Sequence, residues 1–353
     1  MKETDSIFKY GVIVHGSSKV VNIGDYIQAV ASAQFLPHVD IFLEREKIGE
    51  YDGEEVKAIM NAWYMYDANQ WPPSKKIHPL YISIHINKTA KHIFSTPESI
   101  DYLKSYVPIG CRDKSTKQYL DNLGINAYFS GCMTLTLGFK YKSNVHNKNV
   151  YFVDPAMPGI GNIFNQMRLL LKSIFHYKKV SSVFRKKYPQ AKTIFKEHRR
   201  WLATAAFYVE YRKYFDENIL LNAEYINQEN IYYKQNFQTH KERFIEAERL
   251  VKQYATARLV VTSRIHCALP CTGLETPVIY TYQCSQDENS SCRLDGLLQL
   301  FNVMNIDPDG HIHPLSGFDS SNKISVNNLP IVKYEWKKLA NDMIARCKEF
   351  INS

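Results

Sequence analysis

Residues 258–280 read RLVVTSRIHCALPCTGLETPVIY, and this stretch decides the fold class. The run 258–262 is apolar and β-branched, as a buried strand is, and it ends on two hydroxyl residues, Thr262 and Ser263. Residues 265–274 are small and apolar and fit a short helix. Residues 277–280 are a second buried strand. Strand, tight turn, helix and strand in so few residues make a β-α-β unit, the building block of a parallel sheet with crossover helices. The turn carries Arg264 and His266, two positions apart, beside the hydroxyls of Thr262 and Ser263. A guanidinium, two hydroxyls and a helix start form an anion cradle, with an imidazole able to move a proton near neutral pH beside it. The plainer alternative for His266 is a core histidine bonded to backbone.

The same alternation extends in both directions. Residues 8–15 (FKYGVIVH) are a buried strand, followed by a polar loop and by Ile27, Val30, Ala31 and Phe35 at helical spacing. Residues 56–63 are apolar and fit a strand or a helix, 80–86 (LYISIHI) alternate as one strand, and 107–111 are short and apolar. Asp113 is placed to cap a helix over 115–123 that Gly124 ends. Residues 127–130 and 151–154 are further strands, 162–177 an amphipathic helix, 179–233 largely helical, 240–254 a helix and 331–351 a terminal helix. The polar, basic run 139–149 (FKYKSNVHNKN) is the expected linker between two domains.

At 353 residues the chain exceeds what one core usually supports. Its composition, 45% hydrophobic and 22% charged, is that of a globular protein, and no window is apolar for the length of a membrane span. The start, MKETDSIFK, lacks the basic and apolar regions of a secretory signal, so the expected location is the cytoplasm. Seven cysteines without CxxC spacing indicate neither a disulfide framework nor a zinc site. A net charge of +9 implies attraction to anions without choosing among them. The basic, aromatic-rich stretch 178–200 fits a solvated helical face, or else a docking surface.

Two more segments carry candidate chemistry. The loop 15–28, HGSSKVVNIGDYIQ, joins the first strand to the first helix, at the strand end where open α/β sheets bind ligands. Within it Asn22 and Gly24 are candidate binding positions. Asp25 is a candidate base for a hydroxyl, or simply a carboxylate stabilising the helix start. The loop lacks GxGxxG, which argues against a nicotinamide enzyme. The segment 108–116, PIGCRDKST, offers Arg112 for a carboxylate or phosphate, with the alternative that Arg112 forms a surface pair with Asp113. His15, His85 and Asp154 read as structural, and Cys267 and Cys271 as buried small residues.

Asn22-Ile23-Gly24-Asp25, Arg112-Asp113 with Ser115 and Thr116, the run 130–137, and Ser263-Arg264-Ile265-His266 with the segment 269–279 together resemble the polysaccharide pyruvyl transferase family. The resemblance covers residues 10–280. It departs from the family where 57–67 (KAIMNAWYMYD) lacks a Gly-rich turn. The resemblance implies an α/β protein of two Rossmann-like domains facing a cleft, the arrangement of GT-B glycosyltransferases. Residues 1–145 would form the acceptor side, 146–330 the phosphoenolpyruvate side, and 331–353 a helix returning to the first domain. It implies no metal and no cofactor, with phosphoenolpyruvate as co-substrate. The partner is a saccharide acceptor for exopolysaccharide or capsule, often lipid-linked at the inner membrane face, and not nucleic acid. On this reading His266 protonates the donor methylene and Asp25 accepts a hydroxyl proton. Arg264, Arg112, Ser263, Thr262, Asn22 and Gly24 hold substrate. Two alternatives stay open: a nucleotide-sugar glycosyltransferase on the same frame, and a non-enzymatic binder of acidic polymers.

Overall fold

The computed structural model describes residues 8–15, 20–161, 163–191, 197–283, 292–307 and 310–353. Two parallel sheets dominate it. The first strand, Lys9–Val14, lies between Ile41–Glu44 and Val56–Ile59, and Ile77–Leu80 completes a four-stranded parallel sheet. The second sheet has six strands in the order Glu224–Ile226, Val150–Val153, Leu259–Thr262, Val278–Gln283, Asn302–Ile306 and Ile312–His313, with only the last pair antiparallel. The central strands Lys9–Val14, Val56–Ile59, Val150–Val153 and Leu259–Thr262 are buried on both faces, which is why they read as largely apolar runs. A mixed α/β fold with parallel sheets is therefore present.

Local signals set most boundaries. Asp113 accepts from the Thr116 amide at 2.8 Å and starts the helix Lys114–Asn122, and Gly124 follows with φ of +70°. Thr239 and Glu242 close a capping box on His240–Ala255. The expected single strand at 80–86 differs. Ile77–Leu80 and His85–Ile86 are separate strands, because Ser83 adopts φ of 58° and breaks the pleat between them.

The main core is continuous between the sheets. It runs from Val12 and Ile59 through Ile23, Tyr26 and Ile27 to Val260, Cys267 and Leu269. The small residues of the helix Ile265–Gly273 have a packing reason: a Cβ on Gly273 would stand 2.3 Å from the Leu135 carbonyl oxygen. The terminal helix Lys337–Asn352 lies against the first part of the chain. Its Met343 accepts from Ser83 Oγ at 3.2 Å, and Arg346 covers the ring of Tyr128 at 4.4 Å.

Candidate functional site

The register puts Val153 beside Thr262 and Thr262 beside Tyr280, so the strands Val150–Val153 and Leu259–Thr262 end together and their following residues share one rim, beside a third strand that runs on to Gln283. Asp154 leaves its strand with φ of 41° and becomes a hub. Its carbonyl accepts from the Ser263 amide at 3.2 Å and from Ser263 Oγ at 2.6 Å. Its Oδ2 accepts from Arg264 Nε and from the Gln228 amide, each at 2.9 Å. Arg264 also donates to Glu229 at 3.0 Å, while Thr262 Oγ1 accepts from the Arg264 amide at 2.9 Å. The hydroxyls of Thr262 and Ser263 thus hold the turn itself, and Arg264 stands half-exposed between two carboxylates.

The start of the first helix, Ile23–Ala33, is tied to this rim. Val21–Asn22 pairs antiparallel with Glu229–Asn230, and the Ile23 amide donates to the Gln228 carbonyl at 2.9 Å. Asn22 Oδ1 caps the helix through the Gly24 amide at 3.0 Å. Gly24 is favoured by close approach. A Cβ there would lie 3.0 Å from Asn22 Oδ1, 3.1 Å from His266 Cβ and 3.2 Å from Gln228 Oε1. This contact brings Asp25 Oδ1 to 3.8 Å from His266 Nδ1. Pro270 contributes too, since it lacks the amide that would bond the His266 carbonyl, and Gln228 Nε2 approaches that carbonyl at 3.4 Å instead.

Arg112 follows the strand Ile109–Cys111 and is fully buried, as is Asp113. A surface pair is excluded. Its Nε stands 3.9 Å from Asp113 Oδ2, too far for a hydrogen bond, and none of its three side-chain nitrogens has a hydrogen-bond partner among the described residues. Asp113 is occupied elsewhere, by His85 Nδ1 at 2.6 Å and the Thr116 amide. Ser115 donates to Asp295 at 3.0 Å. His266 Nε2 is likewise buried without a hydrogen-bond partner among the described residues. Buried polar groups without partners are costly, and a buried guanidinium with unused donors is able to hold an anion.

The field agrees. Burial, reinforced by Arg112, Arg293 and Arg264, pushes His266 well below the ordinary histidine value and favours the neutral imidazole. Burial raises Asp25 above the usual carboxylate value, against the opposing pull of Arg45, His15, Arg293 and Arg112. Asn22, Ser263, Arg264, His266, Tyr280 and Arg293 line a cavity of about 350 Å³.

The sequence model of the polysaccharide pyruvyl transferase family matches residues 22–285. The chain belongs to this family. No curated protein matches the chain at the level required for relatedness. The match to the pyruvyl transferase family opens at Asn22 and spans Asp25, Arg112, Asp154, Arg264 and His266; Arg293 lies beyond it.

In this pyruvyl transferase family member, sequence reasoning missed Arg293, Gln228, Glu229 and Arg45. Arg45 is buried, stacks over Trp63 at 3.9 Å and reaches His15 Nδ1 at 3.0 Å, at the carboxyl end of the four-stranded sheet. An arginine in a run as polar as 44–47 carries no local sign of burial. Asp154 was read as a turn residue, and the one available signal was its place directly after a strand, where parallel sheets put their ligands.

Proposed function

We propose that the protein transfers the pyruvyl group of phosphoenolpyruvate to two hydroxyls of a saccharide, giving a cyclic ketal. The observation that carries this reading is the hydrogen-bonding capacity of buried Arg112 and His266 left unused among the described residues, with the charges of Arg264 and Arg293 also bearing on His266. Phosphoenolpyruvate bears a phosphate and a carboxylate. Arg112 suits one as a planar fork, while Arg264, Arg293 and the turn at 262–264 suit the other. The two negative groups offset the burial and the arginines that together hold His266 neutral, so donor binding draws a proton onto the imidazole.

The chemistry then balances as follows. His266 gives its proton to the methylene carbon, and the positive charge falls on the carbon bearing phosphate. A saccharide hydroxyl adds there and loses its proton to Asp25. The carbon–oxygen bond to phosphate breaks, phosphate leaves with the electron pair and takes the proton held by Asp25, and a second hydroxyl attacks the same carbon and returns its proton to His266. The products are the ketal and inorganic phosphate. The pair at 3.8 Å, one member with raised and the other with lowered proton affinity, supports this division of roles.

For the acceptor, a cavity of about 740 Å³ adjoins the first through Tyr282 and Leu294 and is also lined by Ile86, Lys88, Ser115 and Asp295. It has room for a saccharide, lipid-linked on this reading and destined for a surface polymer. We read the two sheets as two Rossmann-like domains in a GT-B-type arrangement, residues 1–145 on the acceptor side and 146–330 on the donor side, in the cytoplasm, with no metal or further cofactor.

Thermal stability with phosphoenolpyruvate, inorganic phosphate and a panel of uridine diphosphate sugars tests the donor. A ligand at a hundredfold its dissociation constant adds about 2.7 kcal/mol. Stabilisation by phosphoenolpyruvate that is lost in His266→Ala and Arg112→Ala is expected. Stabilisation by nucleotide sugars alone would make the protein a glycosyltransferase, and a response to neither would remove the donor reading.

A further inference from the structure

The helix Ile163–Phe175 is packed inside out. Among its described side chains only Ser173 is buried and Gln166, Leu169 and Lys172 are partly so, although the helix packs on His198–Tyr211. Most of its apolar side chains face water: Phe164 is 77% exposed, Met167 58%, Leu171 59%, Ile174 63% and Phe175 86%. Positions 164, 167, 171, 174 and 175 recur at helical spacing, so they form one stripe. A stripe this long on the outside of a globular protein marks a surface that is covered in use.

The charge around it says by what. Between Asp154 and Glu197 the sequence holds nine Lys and Arg and no carboxylate. Arg168 and Lys178 are exposed beside the stripe, and Lys172 is partly so. The proton affinity of Lys172 is lowered by partial burial and by the positive charge of Arg168 and its neighbours. The nearest carboxylates are engaged, Glu217 with Lys179 and Glu210 with Lys213. A second copy of this chain meeting the stripe across a two-fold axis would set these cations against themselves with no carboxylate to pair them. An anionic bilayer satisfies both parts, taking the apolar side chains among its acyl chains and the cations among its headgroups.

We propose that Ile163–Phe175 is an interfacial helix that docks the protein on an anionic lipid surface. The helix follows the loop carrying Asp154 and Ala156, which border the donor cavity or hold its turn, so docking would keep that cavity near the membrane. The proposal gains its purpose from the lipid-linked acceptor proposed above, but it is tested without catalysis, so either can fail alone.

The test is co-sedimentation of the whole protein with phosphatidylcholine vesicles, with and without phosphatidylglycerol. The variants are Phe164→Ser with Phe175→Ser, and Arg168→Glu with Lys178→Glu, all at exposed positions, with thermal melting to show that each folds. We expect binding to the phosphatidylglycerol vesicles, reduced about tenfold or more in each double variant. Three results would overturn the proposal: no binding to either vesicle, binding that both double variants retain, or concentration-dependent self-association in light scattering that the phenylalanine variant abolishes.

Discussion

Asp25 and His266 come from opposite halves of the chain, yet Asp25 Oδ1 stands 3.8 Å from His266 Nδ1. Their proton affinities are displaced in opposite senses, upward for Asp25 and downward for His266. On the proposed roles, His266→Gln and Asp25→Asn each lower the rate of phosphate release from phosphoenolpyruvate by about 10²–10⁴-fold. Steady-state rates with a saccharide acceptor check this. A loss under tenfold in both variants would remove the pair from the chemistry.

Arg112 is buried without a hydrogen bond among the described residues, which costs stability. Arg112→Met, similar in volume and apolar, should therefore leave the melting temperature of the unliganded protein unchanged or raise it. The same variant should lose the stabilisation by phosphoenolpyruvate. Paired melts with and without ligand read both effects, and a variant that melts lower but still responds to ligand would make Arg112 a structural residue.

At Gly24 the space for a methyl group is short by only a few tenths of an ångström, and one of the neighbours that must give is His266. Gly24→Ala should change stability by no more than about 1 kcal/mol, because helix propensity offsets the crowding. Turnover should fall about tenfold or more, since a small shift of a reacting group is expensive. Equal rates in mutant and wild type would show that His266 tolerates displacement.

Arg264 bridges Asp154 and Glu229 with a two-pronged contact that lysine cannot reproduce. Arg264→Lys should cost about 1.5–3 kcal/mol for the charge-assisted bond lost and raise KM for phosphoenolpyruvate more than it lowers kcat. A fall in stability with unchanged KM would confine Arg264 to holding the turn.

His85, bonded to Asp113, is pushed down to about 4, first by burial and then by Arg112. A histidine held neutral in the folded state stabilises it above the unfolded value near 6.5, and that stability is lost as pH falls towards 4. The loss is on the order of 3 kcal/mol. His85→Asn keeps a donor for Asp113 and removes the titration, so its melting temperature should fall less steeply between pH 6.5 and 4. Parallel wild-type and mutant profiles would assign the acid loss to other groups.

Whatever depended on neighbours a few residues apart was legible beforehand. The strand, turn and helix at 258–280, the Asp113 cap, the end at Gly124 and the family resemblance all rest on local sterics, hydrogen bonding and spacing, which the order of residues states directly. Three relations were not of that kind. Asn22 is held by pairing with Glu229–Asn230, Arg112 is sealed from water rather than lying on the surface, and Arg293 and Arg45 bear on the electrostatics of Asp25. Each depends on which distant segments share a rim, and periodicity carries no record of partner or of burial depth for a charged side chain. The helix Ile163–Phe175 shows the same limit. Its pattern announces two faces, but which face meets the protein and which meets water is decided by the surface available to pack against, and that exists only once the chain has folded.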